Sequence, residues 1–270
     1  MKYLVKFLLL IVGIGIIAII VVSMSLNGLV KSGVETMGPK MMGVPVTLGD
    51  VDISLLSGGT DIRASLNELI IKNPEEYETD YAFSLPSIRI RVNRNSVLTD
   101  TVIVEEILIE GPAITFEGSL LGSNLGDIQD NLTRNTRPVS NHEAKEEEKN
   151  EKHEEGEEPE PEPEKKVHIK KVTIKNATIN LSLFGGKIDP IQLTLPDFEL
   201  HDIGKESGGT SFQEASAKIF DAIYAATIKA VTRSGKLIPK GLEQFGESAE
   251  ELGKSAEKVG KELLKGLFNK

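Results

Sequence analysis

The stretch Val104-Glu105-Glu106-Ile107-Leu108-Ile109-Glu110-Gly111-Pro112 carries apolar residues at its first, fourth and sixth places and a turn former at its eighth. The same pattern stands at 66–74, Leu-Asn-Glu-Leu-Ile-Ile-Lys-Asn-Pro, and at 169–177, Ile-Lys-Lys-Val-Thr-Ile-Lys-Asn-Ala. Gly111, Asn73 and Asn176 fall where the chain must turn, and both residue types tolerate turn geometry. The last two copies extend into a second apolar run, with Ile114 matching Ile179 and Phe116 matching Leu181. The spacing predicts a strand–turn–strand unit used repeatedly, and therefore a β-sheet.

The flanks carry the same signal. Val44, Val46 and Leu48 alternate with polar or Pro positions, and after Gly49-Asp50 the phase shifts to Val51, Ile53 and Leu55. A glycine at a phase shift predicts a β-bulge. Ser57-Gly58-Gly59-Thr60 is a hairpin turn signal. Ile88, Ile90 and Val92 alternate with Arg89, Arg91 and Asn93, a strand with one buried face, whereas Phe83 and Leu85 hold the other phase and Pro86 marks the break. Further strands are expected over 102–109, 114–116, 167–174, 179–183, 188–195 and 198–203, about ten in all. Pro190 and Pro196 point to edges or bends.

Composition sets the class. The chain has 270 residues, a hydrophobic share of 39% and 25 glycines, enough for a packed core. A net charge of −10 argues against a general nucleic-acid binder, which needs a basic surface. The absence of cysteine excludes disulfides, thiolate metal sites and a Cys nucleophile.

Residues 7–30 hold no charge, and Lys2 and Lys6 precede them. A helix of that length is ~36 Å, sufficient to cross a ~30 Å hydrocarbon core. Residues 1–30 are therefore read as a transmembrane anchor with its N-terminus inside. The competing reading is a cleaved signal peptide, with Ser23-Met24-Ser25 as its best, though poor, cleavage site. Gly13-Ile14-Gly15-Ile16-Ile17-Ala18 fits a dinucleotide fingerprint, but it sits inside the apolar run, without the strand before it that the motif needs.

The organisation expected is a β-sheet region over 44–133, an acidic linker over 134–166, a second β-sheet part over 167–204, a sheet-packing helix over 205–235 and a heptad helix over 236–270. Residues 141–166 hold 12 Glu and 5 Lys, with Pro159, Pro161 and Pro163 alternating with Glu, which gives a self-repelling, extended segment. Closing such a loop costs only ~3 kcal/mol, so the sheet can continue across it. Between 211 and 232, Phe212, Ile219, Phe220, Ile223, Tyr224, Ile228 and Val231 define a broad apolar helix face. In the tail, Leu242, Phe245, Ala249, Leu252, Ala256, Val259 and Leu263 follow a 3-4 spacing, a coiled-coil seam. Leu242, Phe245, Leu252, Val259 and Leu263 are the candidate face for a protein partner, for self-association or for a membrane surface.

Chemistry-bearing motifs do not emerge. The chain has no GxSxG, HExxH, P-loop, EF-hand or CxxC pattern. The foldable part offers His168, His201 beside Asp202, and the pair Asp50 and Asp52. His142 and His153 lie in the linker, which supplies no fixed ligand geometry. No catalytic, metal or cofactor residue is predicted, and the chain is read as non-enzymatic.

With its Lys-flanked N-terminal span, the chain resembles the AsmA-like family of bacterial envelope proteins. The resemblance rests on Leu69-Ile70-Ile71-Lys72-Asn73-Pro74, Ala82-Phe83-Ser84-Leu85-Pro86-Ser87-Ile88, Glu106-Ile107-Leu108-Ile109-Glu110-Gly111-Pro112, Gly185-Gly186-Lys187 and Leu195-Pro196-Asp197-Phe198. It covers about half the chain. It implies an inner-membrane anchor, a periplasmic β-groove, and a part in phospholipid handling or outer-membrane assembly. The fold class expected is thus α+β, with an N-terminal transmembrane helix, a mostly antiparallel repeating sheet and C-terminal amphipathic helices. Two functional readings stay open. In one, Ile88, Ile90 and Val92 line a groove for phospholipid. In the other, the helix over 211–232 covers that face and the tail binds a protein partner as an envelope scaffold.

Overall fold

The computed structural model describes residues 25–55, 60–119, 122–136, 165–182 and 190–234. Its strands are β1 (Val46–Ser54), β2 (Asp61–Lys72), β3 (Tyr81–Asn93), β4 (Thr101–Glu110), β5 (Ala113–Ser119), β6 (Gly122–Ser123), β7 (Lys166–Lys175), β8 (Ala177–Ser182), β9 (Ile191–Leu195) and β10 (Phe198–Ile203). The helices are α1 (residues 25–42), α2 (Asn124–Thr136) and α3 (Phe212–Arg233).

Alternating apolar residues make these strands amphipathic, and a row of local interruptions shapes the sheet they form. β4 runs into β5 through Gly111-Pro112, β7 into β8 through Asn176, and β9 into β10 through Pro196-Asp197. Each pair is one long strand with a kink. Gly111 and Asn176 take positive φ of 66° and 54°, the left-handed backbone that Gly and Asn accept most readily. The ten strands therefore form six long ones, in the order β1, β2, β3, β4/β5, β7/β8 and β10/β9, with β6 a short flap on β5. At ~4.8 Å per strand the sheet is ~29 Å wide, narrower than ten independent strands would make it.

The interruptions lie side by side. Leu48 pairs with Leu69 and Asp50 with Asn67, which sets Gly49 opposite Glu68. Leu69 pairs with Leu85 and Asn67 with Ser87, which sets Glu68 opposite Pro86. Gly111-Pro112, Asn176 and Pro196-Asp197 continue the line. At each, the inward-facing apolar residues step by three instead of two: Leu48 to Val51, Leu66 to Leu69, Leu85 to Ile88, Ile109 to Pro112, Ile174 to Ala177 and Leu195 to Phe198. Register is unbroken through these positions, so the bulge expected at Gly49 is instead a kink without an extra residue, and a row of such in-register kinks creases the sheet across all six strands. Glycine at 49 is required by close approach, since a Cβ there would lie 2.9 Å from the Glu68 Cβ.

The two later copies of the repeat lie next to each other. Val104 pairs with Ile169, Ile107 with Val172 and Ile109 with Ile174, and beyond the crease Ile114 pairs with Ile179 and Phe116 with Leu181. These two pairings are parallel, so the sheet is mixed within a largely antiparallel order. Parallel neighbours need a long crossover, and the chain between β5 and β7 supplies it. The 66–74 copy is placed differently: its kink at Glu68, with φ 56°, lies on the crease, and Asn73 follows the end of β2.

Helices cover one face. α2 packs on β5, and α3 runs over β7, β9 and β10. α2 falls within the segment read as part of the first sheet region; Leu125, Ile128 and Leu132, at helical spacing, are its buried stripe. Ser123 accepts from the Gly126 amide at 3.2 Å and opens α2. Ser211 accepts from the Glu214 amide at 3.1 Å and opens α3. Phe220 of α3 meets Phe83 of β3 edge to face, with ring centroids 5.4 Å apart. Gln129 and Asp221 join α2 to α3 at 2.9 Å, while burial pushes the Asp221 carboxyl up.

α1 begins inside the segment expected to form the anchor. Residues 25–30 belong to a helix that continues to 42 and docks along the β1 edge. Asn27 accepts from the Ile53 amide at 3.0 Å, Lys31 donates to the Gly49 carbonyl at 2.6 Å, and Glu35 accepts from the Leu48 amide at 3.0 Å. Their four-residue spacing puts them on one helical stripe. Among the described residues no helix is long and apolar enough to cross a membrane. The uncharged segment 7–24 lies outside them.

Candidate functional site: an apolar face closed on one half and open on the other

The crease divides the inner face into halves of similar chemistry. On one side, Val46, Ile71, Phe83, Ile114, Ile179 and Leu193 pair in sequence across all six strands. Here Phe83, Ile114, Phe116, Ile179 and Leu181 are buried under the helices. On the other side three apolar rows follow. The row next to the crease is Val51, Leu66, Ile88, Ile109, Ile174 and Phe198, and the middle row is Ile53, Ala64, Ile90, Ile107, Val172 and Leu200. The outer row is Ile62, Val92, Val104, Ile169 and Ile203.

Coverage of these rows is uneven. Val172 of β7 is fully buried, whereas its row-mates Ile53, Ala64, Ile90 and Ile107 on β1 to β4, and Leu200 on β10, are half-buried. Ile62 and Val92 are half-buried as well. The reason is the path of the helices. α3 follows β7, β9 and β10, and α1 follows the β1 edge, so the described helices flank the middle of this half. The predicted lipid-facing residues Ile88, Ile90 and Val92 lie on this face, Ile88 in the buried row and the other two on the half-exposed strip. Leu242, Phe245, Leu252, Val259 and Leu263 lie outside the described residues, as do His142 and His153.

The outer face of the same strands is charged. Arg89 pairs with Glu110 at 2.5 Å, and Arg91 with Glu106 at 3.3 Å and Asp61 at 3.5 Å. Lys170 pairs with Glu105 and Lys171 with Glu106, both at 2.7 Å. The Lys170 and Lys171 hydrogen bonds hold the Glu105 and Glu106 carboxyls below the usual range. The sheet therefore presents a water-compatible back and an apolar front.

The closed half has a buried polar anchor that the sequence reading missed. Glu117, 3% exposed, accepts from the Glu78 and Thr79 amides at 2.9 Å each and from the Thr79 hydroxyl. Asn124 donates to Asn73 at 2.7 Å and to the Thr115 carbonyl at 2.8 Å, and accepts from the Glu117 amide at 2.9 Å. Tyr77 donates to Asp127 at 2.5 Å; burial, reinforced by that bond, pushes the phenol up. These bonds tie the 73–80 loop to β5 and α2. A Glu inside the alternating β5 run is the signal that marks it, since a buried carboxylate must find donors.

The remaining candidates form separate pairs. His168 faces Asp202 at 3.4 Å, His201 faces Glu199 at 3.3 Å, and Asp50 accepts from Asn67 at 2.9 Å. Among the described residues no three His, Asp or Glu side chains are grouped to hold a metal ion. Compared with protein-family models, curated proteins and solved structures, the chain matches none.

Proposed function

We propose that this chain is a non-enzymatic, AsmA-like lipid-handling protein, held to the inner membrane by residues 7–24 with its N-terminus in the cytoplasm and its bulk in the periplasm. The observation that carries this reading is the half-exposed strip Ile53, Ile62, Ala64, Ile90, Val92 and Ile107. It is a broad apolar surface without polar interruption, the chemistry that an acyl chain complements. The flanking α1 and α3 give the strip walls. The resemblance in sequence motifs supports the same assignment. Segment 7–24 is uncharged and, as a helix, would be ~27 Å long, within the usual range for a span. A sheet ~29 Å wide is too short to bridge two membranes alone, so the role is to hold or pass lipid locally.

Photo-crosslinking in cells tests this. A photoreactive residue at 90 or 92 is expected to capture phospholipid, and the same residue at 89 or 91, on the charged face, is not. Equal capture on both faces, or capture at neither, removes the lipid reading and favours the scaffold.

A further inference from the structure

Beyond the groove, we propose that the far rim of the open half seats on the surface of a phospholipid bilayer, with Leu98 and Phe212 entering the interface. The rim is built from the β3–β4 loop, the start of β7 and the β10–α3 loop, and hydrogen bonds stitch it together. The Arg94 guanidinium donates to the Leu55 carbonyl and the Lys165 ammonium to the Val97 carbonyl, both at 2.6 Å. Thr101 donates to the Gly208 carbonyl at 2.8 Å, and Val167 and Thr210 exchange backbone hydrogen bonds.

Two observations point at a bilayer. First, Leu98 is 92% exposed and Phe212 60% exposed, on a rim otherwise well bonded. Among the described residues only Leu29 and Met37 are comparable large exposed apolar side chains. Leu29 also lies toward this end of α1, two residues after Asn27, which bonds Ile53 near the far end of β1. Apolar groups this exposed mark an interaction surface. Phe212, expected on the buried face of its helix, is thus placed outward.

Second, α1 runs along β1 from Asn27 beside Ile53 to Gly38 beside Val46. Its N-terminal end is therefore at the rim, and the 24 residues before it, including the uncharged segment, join the body there. The rim's charge is mixed: Arg94, Lys165, Lys166 and Lys205 stand against Asp61, Asp100, Asp202, Glu206 and Glu214, with Lys205 paired to Asp202 at 3.0 Å. Insertion of the two apolar side chains therefore supplies the contact, without help from net charge. Seated this way, the strip between α1 and α3 opens toward the membrane.

This proposal rests on the membrane anchor of the preceding section, but not on lipid occupying the groove. The chain has no cysteine, so single-cysteine variants label at one place. Leu98→Cys and Phe212→Cys, with Glu76→Cys on the opposite end as control, would carry an environment-sensitive fluorophore on the full chain. The chain is reconstituted in vesicles of phosphatidylcholine with phosphatidylglycerol. The labels at 98 and 212 are expected to shift to the blue and to be quenched by nitroxide lipids, and the label at 76 to do neither. If vesicle flotation succeeds but 98 and 212 resemble 76, the rim proposal alone is overturned. If the chain does not float with vesicles, the anchor falls and the rim proposal with it.

Discussion

The two halves of the inner face share strands, alternation and residue types, yet they end in different states. Phe116 and Ile179 are fully buried, while Ile90 and Val92 are only half-buried. The difference is not in hydrophobicity. It comes from where the helices run, which is fixed by contacts far from the residues concerned: the α1 bonds along the β1 edge and the Phe220–Phe83 contact of α3. An apolar strand face therefore carries no information by itself about whether it is core or binding surface.

Substitutions can break that contrast or sharpen it. The largest loss is expected from Phe116→Ala, about 3–5 kcal/mol by urea denaturation, because a sealed ring leaves a cavity. Next comes Glu117→Ala, which strips the acceptors from two loop amides at about 1–3 kcal/mol each. Its additional signature is faster hydrogen exchange over 73–80. Replacing Asn27, Lys31 and Glu35 together by Ala should cost less in stability and should expose the β1 edge. Self-association by light scattering is the expected result. Ile90→Asp, in the open half, should leave the protein folded while abolishing lipid capture at the neighbouring position 92. If Ile90→Asp unfolds the chain as Phe116→Ala does, the two halves are equivalent and the groove reading fails.

The smallest effect is electrostatic. Glu105 and Glu106 have folded-state carboxyls held below their ordinary values, so their contribution is present above the unfolded value and fades as pH falls through the folded one. Wild type should lose stability in acid, and a Glu105→Gln, Glu106→Gln variant should start lower at neutral pH and change less.

What was readable in the sequence follows from how local each signal is. The repeat at 104–112 and 169–177 specified strands whose apolar places pair position for position, because identical phase favours identical register. The crease was foreshadowed at Gly49-Asp50 and Pro86 by a step of three in the apolar pattern, but the step read as a bulge at Gly49 is made by a kink shared in register with the neighbouring strands. The parallel pairing of β4 with β7 was not readable, since strand direction is set by a crossover whose composition carries no directional signal. α2 was missed for a different reason. Asn124 to Thr136 is polar enough to resemble a loop, and its stripe of Leu125, Ile128 and Leu132 is only three residues deep. Likewise Ile88, Ile90 and Val92 could be assigned to a face from alternation, but their unequal coverage depends on α1 and α3. Leu98 had no periodic signature, and Phe212, read as part of the apolar helix face, proved exposed at 60%, since exposure at a rim is a property of the assembled loops.

The register between β4/β5 and β7/β8 has a consequence for size. Two copies related by a sidestep of one strand spacing, with their kinks in line, define a translation that could be applied again. A chain gaining another copy would lengthen the trough by a fixed increment and keep its fold line straight. The intervening connector would need only to reach back to the starting end. Trough length would then be a counted quantity, set by how many times one kinked strand–turn–strand unit is written.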